Sequence, residues 1–317
     1  MMNRNHKCFV CGIKGKYISN KEKKFLIKYK PWGVILFSRN LKSIKQTKIL
    51  TNSIKKIFKN KNYPILIDEE GGRVSRLKKF IDNSIFTAKY FGDLYVKNNK
   101  KFELYFNTYV KQISYLLRML GININSVPVL DIRRSKSHNI VGDRSYSRNK
   151  KIVSKIGDIC IEKFHKNRIG TMIKHIPGHG LAKSDSHKKL PIINQSLNYL
   201  IKNDFQTFKK KKSLLGMTGH LLFKNIDGVD SATHSKKIIK LIRNKIGFKN
   251  IIISDDLSMK ALKYSLKVNV QKSFLAGCNL VLHCNGNLNE MLIVAKNSPK
   301  IDNFIIKKTS QLSDIIS

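Results

Sequence analysis

Acidic residues are scarce in this chain: 20 Asp and Glu stand against 62 Lys and Arg, a formal charge of +42 over 317 residues. Such an imbalance points first to nucleic acid or an anionic membrane surface as a partner. Nothing else supports either: no RNA-binding signature and no basic strip interleaved with aromatics is present, and the lysines are spread along the whole chain. Lys far outnumbers Arg while Ile and Asn are abundant, as AT-rich coding produces, so the charge reads as compositional drift and no nucleic-acid partner is expected. Cysteine is also sparse, five residues at 8, 11, 160, 278 and 284. Cys8-x-x-Cys11 has no second tight pair to complete a zinc site and lies in an apolar, strand-like run, so buried, reduced thiols in a reducing compartment are expected. No apolar run approaches the roughly 20 residues of a membrane span. The run near the N-terminus, "CFVCGI", is too short for a secretory leader, so a cytoplasmic protein is expected. Neither G-x-G-x-x-G after an early strand nor H-E-x-x-H occurs, which argues against a dinucleotide fold and a helical zinc site.

With 41% apolar and 9% aromatic residues the chain has the material for a core, so disorder is not expected. Short runs rich in Ile, Val and Leu recur at 8–13, 33–37, 64–68, 124–132, 170–176, 214–220, 250–256 and 279–285. Near-continuous apolar runs suit strands buried on both faces, and the intervening polar stretches, such as 40–59 with Ile44, Ile49, Ile54 and Ile57, suit helices. Eight such runs predict an α/β fold, a (β/α)8 barrel, with an open doubly wound sheet as the alternative. No boundary divides the chain, so one domain over 1–317 is expected, with a terminal helix or tail from about 300. The polar insert 133–151 is then a rim loop.

Nearly every run ends in a polar or ionisable residue: Arg39 and Asn40, Asp68 and Glu69, Asp131, Lys174 and His175, His220, Asp255 and Asp256, Asn285. In a parallel barrel these strand ends converge on one rim, where catalytic groups sit. In "ILIDEEGGRVSRL", Gly71 and Gly72 permit a sharp turn, Asp68 is placed to accept from sugar hydroxyls, and an Arg to donate to an oxygen-rich ligand; a salt-bridged turn explains the segment equally well. "GDRSYS" places Arg144 in a polar loop. "IIISDDLSMK" ends in two carboxylates that alternation sends to opposite sides, one into the mouth as nucleophile or metal ligand, the other onto the N-terminus of a following helix. Three of nine histidines fall in "KHIPGHGLAKSDSHKK". Pro177 and Gly178 break any helical spacing of His175 and His179. Asp185-x-His187 offers a carboxylate that orients an imidazole and raises its basicity, fitting it for proton transfer, or else a local turn made by Asp185.

Taken together, "KHIPGHG" followed by "DSH", with "IDEEGGRVSRL", "GDRSYS", "SDDLSMKA", "PWGVILFSRN" and "VPVLDI", resemble the bacterial β-N-acetylhexosaminidases of glycoside hydrolase family 3, the single-domain enzymes of peptidoglycan recycling. The motifs occur in the family's order from about residue 8 to about 290. The resemblance implies a cytoplasmic (β/α)8 enzyme that removes non-reducing terminal β-linked N-acetylglucosamine from anhydro-muropeptides. It implies Asp255 as nucleophile, His187 as general acid/base, Asp185 as its partner, and Asp68, Arg76, Arg144, Lys174 and His175 as the residues that bind the terminal sugar. It implies no metal and no cofactor. The "LAKS" loop is unusually basic but keeps Asp185 and His187 in place relative to Lys174. A monomer without a membrane partner is expected. Two other readings remain: a metal-dependent barrel hydrolase using His175, His179, Asp185 and Asp255, and a basic nucleic-acid-binding protein on an old barrel.

Overall fold

The computed structural model describes residues 2–135, 140–186 and 189–317. Among them the strands are β1 (Lys7–Gly12), β2 (Pro31–Leu36), β3 (Ile65–Ile67), β4 (Ile124–Asn125), β5 (Gly170–Ile176), β6 (Ile192–Ile193), β7 (Leu215–Thr218), β8 (Leu222–Phe223), β9 (Ile251–Asp256) and β10 (Leu280–His283). Eight of them close a barrel in the order β1-β2-β3-β4-β5-β7-β9-β10, every pair parallel, with Phe9 opposite Val281 completing the ring. Helices alternate with the strands and cover the outside. The open-sheet alternative is thereby excluded. The eight apolar runs are the eight barrel strands; β2 and β5 are buried along their whole length, as strands covered on both faces must be.

Two details differ from the sequence reading. The run 124–132 yields a ladder of only two residues, because Pro128 has no N–H to offer; pairing with β5 resumes where Leu130 N donates to the Lys174 carbonyl at 2.7 Å. In the helix Ile44–Ile57 the buried face is Thr47, Leu50, Thr51 and Ile54, while Ile44 and Ile49 are exposed. A five-residue step turns about 140° around a helix, so Ile49 cannot share a face with Ile44 or Ile54.

The small pair β6–β8 stands outside the barrel. Leu222 N donates to the Pro191 carbonyl (2.9 Å) and Lys224 N to that of Ile193 (3.0 Å), which ties down the return of the long excursion after β5. At the opposite end, residues 303–316 form a helix rather than a loose tail. Its Thr309 Oγ1 accepts from Nε1 of Trp32, the chain's single tryptophan, at 2.8 Å, and Leu312 packs on Gly170, so it reaches the starts of β2 and β5. Cys8, Cys11, Cys160 and Cys278 are buried free thiols, and burial pushes Cys8 up to about 12. Among the described residues no helix is long and apolar enough to cross a membrane.

Candidate active site

The carboxyl ends of the barrel strands surround a cavity of about 260 Å³ lined by Asp68, Glu70, Arg76, Arg144, Lys174, His175, His179, Ser186, Asp255 and Asp256, with Phe37, Met217, Met259 and Leu282 among its apolar walls. Four of the chain's 20 acids meet here, against a surface that is otherwise overwhelmingly basic.

One wall grows from the turn after β3. Glu69, buried, accepts from Ser75 Oγ (3.1 Å), Arg76 N (2.7 Å), Leu77 N (3.0 Å) and Asn83 Nδ2 (2.7 Å), so it organises the loop rather than facing the cavity. Gly71 and Gly72 have φ of 86° and 58°, and a Cβ on Gly71 would lie 2.4 Å from the Phe86 carbonyl oxygen. Only glycine satisfies both demands. This turn presents Asp68 and Glu70 to three cations. Lys174 Nζ lies 2.9 Å from Asp68 Oδ1 and 2.6 Å from Glu70 Oε1. Arg144 grips Glu70 side-on, Nε to Oε2 at 2.7 Å and Nη2 to Oε1 at 2.8 Å, and Arg76 stands 3.8 Å from Asp68 Oδ2. Burial alone would raise Asp68 and Glu70, but Lys174 with Arg76, and Arg144 with Lys174, hold them below the usual carboxylate range. Burial would lower Lys174, yet Asp68 and Glu70 outweigh it and raise it. Asp68, Glu70, Arg144 and Lys174 are therefore charged at neutral pH.

The second wall comes from β5 and the loop after it. Lys174 and His175 are consecutive, joined by a cis peptide, and both line the cavity. Fully buried Asp131 accepts from His175 Nδ1 at 2.7 Å and from His179 N at 2.6 Å, so His175 turns its Nε2 edge outward. Asp131 is pushed up by burial, but His175 pulls it down further, so it is a carboxylate at neutral pH. Ser186 reaches the cavity with its Oγ 3.3 Å from His179 Nε2. Asp185, half-buried, is not among the described lining residues; its carbonyl accepts from Lys189 N. His187 lies outside the described residues.

The third wall is the end of β9. Asp255 and Asp256 both line the cavity, contrary to the expected alternation: β9 is irregular against β10 here, with Leu280 opposite Ile253 but Leu282 opposite Asp256, and the chain turns directly after it. Asp256 is spent on that turn, accepting from Ser258 N (3.1 Å), Ser258 Oγ (2.8 Å) and Cys284 N (3.1 Å). It caps no helix; the next one starts at Leu266, with Ser265 as its cap. Asp255 receives only Asp256 N, at 2.8 Å on Oδ1, leaving Oδ2 without a partner among the described residues. Beneath them buried His220 donates from Nε2 to the Asp256 carbonyl (3.0 Å) and accepts at Nδ1 from Thr233 (2.8 Å), pinning the strand end.

The sequence reading thus brings Asp68, Arg76, Arg144, Lys174, His175 and Asp255 into one cavity. It missed Glu70 and assigned no role to Asp131; burial at a strand end beside basic motifs is their only signal in sequence. No group of three or more His, Cys, Asp or Glu side chains converges as a metal-binding cluster among the described residues.

Buried neutral histidines give the fold a defined pH response. Burial lowers His165, His179 and His234 to about 4, and lowers His220 as well. Unfolding returns each to about 6.5, so between these values the unfolded chain binds more protons and stability falls as pH drops. Below about pH 4 the depressed carboxylates of Asp68, Glu70 and Asp131 act in the same direction. Thermal melts are expected to plateau above pH 7 and to decline steadily from about pH 6.5; a midpoint constant down to pH 4.5 contradicts this.

Comparison with known proteins agrees with this geometry. The family model described as the glycosyl hydrolase family 3 N terminal domain matches residues 10–309. A β-hexosaminidase of Nitrosomonas eutropha is 31% identical over 264 residues, 80% of this chain and 73% of that protein. A β-hexosaminidase of Neisseria meningitidis serogroup A is 31% identical over 279 residues, 84% of this chain and 75% of that protein. Among solved structures, NagZ from Neisseria gonorrhoeae in complex with N-trifluoroacetyl-D-glucosamine superposes with a TM-score of 0.84 at 26% identity, covering 97% of this chain and 90% of that one.

Proposed function

This chain belongs to glycosyl hydrolase family 3, and from that premise we propose that it is a retaining β-N-acetylhexosaminidase. In this reading it is a single-domain cytoplasmic monomer that removes non-reducing terminal N-acetylglucosamine from peptidoglycan fragments, in cell-wall recycling. One observation carries the reading: a cavity on the scale of one sugar ring, with a charged clamp on one wall and a carboxylate with a free oxygen on another. Asp68, Arg76, Arg144, Lys174 and His175 bind the terminal sugar. Charged partners give the strongest hydrogen bonds to hydroxyls, and a clamp held by its own ion pairs is set before substrate arrives.

Chemistry then proceeds in two displacements. Asp255 Oδ2 attacks C1, forming a glycosyl ester while the bond from C1 to the leaving oxygen breaks; that oxygen takes its proton from His187. Water next attacks C1 as His187 takes a proton back, and the ester bond to Asp255 breaks. Asp185 stabilises the protonated imidazole. Using a histidine in place of a second carboxylate avoids placing another negative charge beside Asp255.

The test is turnover of 4-nitrophenyl N-acetyl-β-D-glucosaminide and of an N-acetylglucosaminyl–anhydromuramic acid disaccharide, with and without EDTA, by wild type and His187→Ala. Chelator-resistant cleavage of both is expected. The variant should lose on the order of 10²- to 10⁴-fold in kcat/KM on the disaccharide, whose leaving group needs a proton, and far less on the nitrophenyl glycoside. Equal losses on both would remove His187 from the acid role, and loss of activity in EDTA would restore the metal-dependent reading.

A further inference from the structure

The proposed sugar clamp contains a carboxylate too occupied to touch the sugar. Glu70 Oε1 accepts from Lys174 Nζ at 2.6 Å and Arg144 Nη2 at 2.8 Å, and Oε2 accepts from Arg144 Nε at 2.7 Å. Its side chain is only 5% exposed. Three charged donors within one carboxylate leave little capacity for a hydroxyl. Lys174, by contrast, has a third N–H beyond those given to Asp68 and Glu70. Arg144 still has Nη1, whose one hydrogen bond among the described residues goes to the Ile140 carbonyl at 3.2 Å.

We propose that Glu70 is the positioning residue of this clamp: it joins a strand residue, Lys174, to a loop residue, Arg144, so that their remaining donors meet the terminal sugar in a fixed relation. The inference rests on the cavity being the terminal-sugar pocket. Its physical basis is twofold. Glu70 is itself immobile: its backbone N–H donates to the Val74 carbonyl at 2.9 Å across the Gly71–Gly72 turn, where no other residue fits. It also balances charge. Three cations, Arg76, Arg144 and Lys174, face two anions, Asp68 and Glu70; without Glu70 the balance is three to one, and Lys174 and Arg144 repel each other across the space the sugar must enter. The side-on bidentate contact fixes the plane of the Arg144 guanidinium as well as its distance. This matters because Arg144 sits in a one-turn 3-10 segment, Gly142–Arg144, and needs a tether to the barrel.

The experiment pairs Glu70→Gln with modified substrates. Wild type and variant are assayed on 4-nitrophenyl N-acetyl-β-D-glucosaminide and on its 3-, 4- and 6-deoxy analogues, with the folded fraction checked by thermal melting. Glu70→Gln is expected to lose on the order of 10²-fold in kcat/KM on the full substrate, the scale of a misplaced binding group. Deleting the hydroxyl that costs most in wild type should cost several-fold less in the variant, because its donors are already misaligned. The alkaline limb of kcat/KM should also move to lower pH, since Lys174 loses a carboxylate that holds its proton. Glu70→Asp, which keeps the charge but cannot span both partners, should restore the limb without restoring the rate; it carries the test if the glutamine variant does not fold. Losses from the deoxy substrates that simply add to that of the substitution, with an unmoved alkaline limb, overturn the proposal and leave Glu70 a packing residue. A wild type that cleaves none of these glycosides sinks the functional reading instead.

Discussion

Asp255→Asn is expected to lower turnover of N-acetyl-β-D-glucosaminides by roughly 10⁴- to 10⁶-fold, the range seen when a nucleophile is removed from a site otherwise intact. Asparagine is nearly isosteric and its amide oxygen still accepts from Asp256 N, now at 2.8 Å on Asp255 Oδ1. The end of β9 should therefore keep its shape, and the melting temperature should change little. What is lost is the oxygen with no partner among the described residues, the feature that separates Asp255 from its neighbour. Asp256 has three donors to satisfy and holds the turn toward Cys284. Steady-state rates on the nitrophenyl glycoside, beside a melting curve, decide the matter. A variant within tenfold of wild type would falsify the nucleophile assignment.

Asp131→Ala should be the most damaging single change to the fold among the residues around the cavity. The carboxylate is completely buried and holds the His175 ring and the amide of His179 at once. Deleting it strands those donors in a place water does not reach, and each hydrogen bond to a buried charged acceptor is worth about 1.5–3 kcal/mol, roughly 3–5 kcal/mol for the two. In a chain of this length that corresponds to a fall in melting temperature of roughly 5–15 °C. Activity should fall as well, because His175 loses what fixes its ring. Scanning calorimetry of the two proteins, with nitrophenyl turnover below the variant's transition, checks both parts. An unchanged midpoint would mean that these hydrogen bonds contribute no more than the packing that replaces them.

The two residues also mark how far sequence reading reaches. Strands buried on both faces announce themselves as apolar runs, so the eight barrel strands, and with them the rim where Asp68, Lys174 and Asp255 meet, were legible without coordinates. The motifs picked out Asp68, Arg76, Arg144, Lys174, His175 and Asp255, all of which line the cavity. Glu70 and Asp131 were not legible in this way, because a carboxylate that is buried by ion pairing looks the same in sequence as one in solvent. Its partners lie 74 and 44 residues away. Spacing alone left Asp255 and Asp256 open and only the resemblance chose Asp255; in the structure the two differ in that Asp256 is spent on the chain's own turn. The helix at Ile44–Ile57 was legible, but its inner face was not, since isoleucine is so common here that it no longer marks one. Asp185 and His187 were recognised by motif, but His187 lies outside the described residues.

The closing helix gives the molecule a built-in reporter. The single indole of the chain is sealed at the base of the barrel by Trp32's contact with Thr309, at the far end from the cavity. Its fluorescence is therefore expected to report the seating of the fourteen-residue helix Asn303–Ile316. Occupancy of the mouth leaves the emission of a buried indole in place, whereas release of that helix exposes the ring to water and shifts the emission to the red. Loss of the base can thus be followed without a label, whether or not the mouth is occupied.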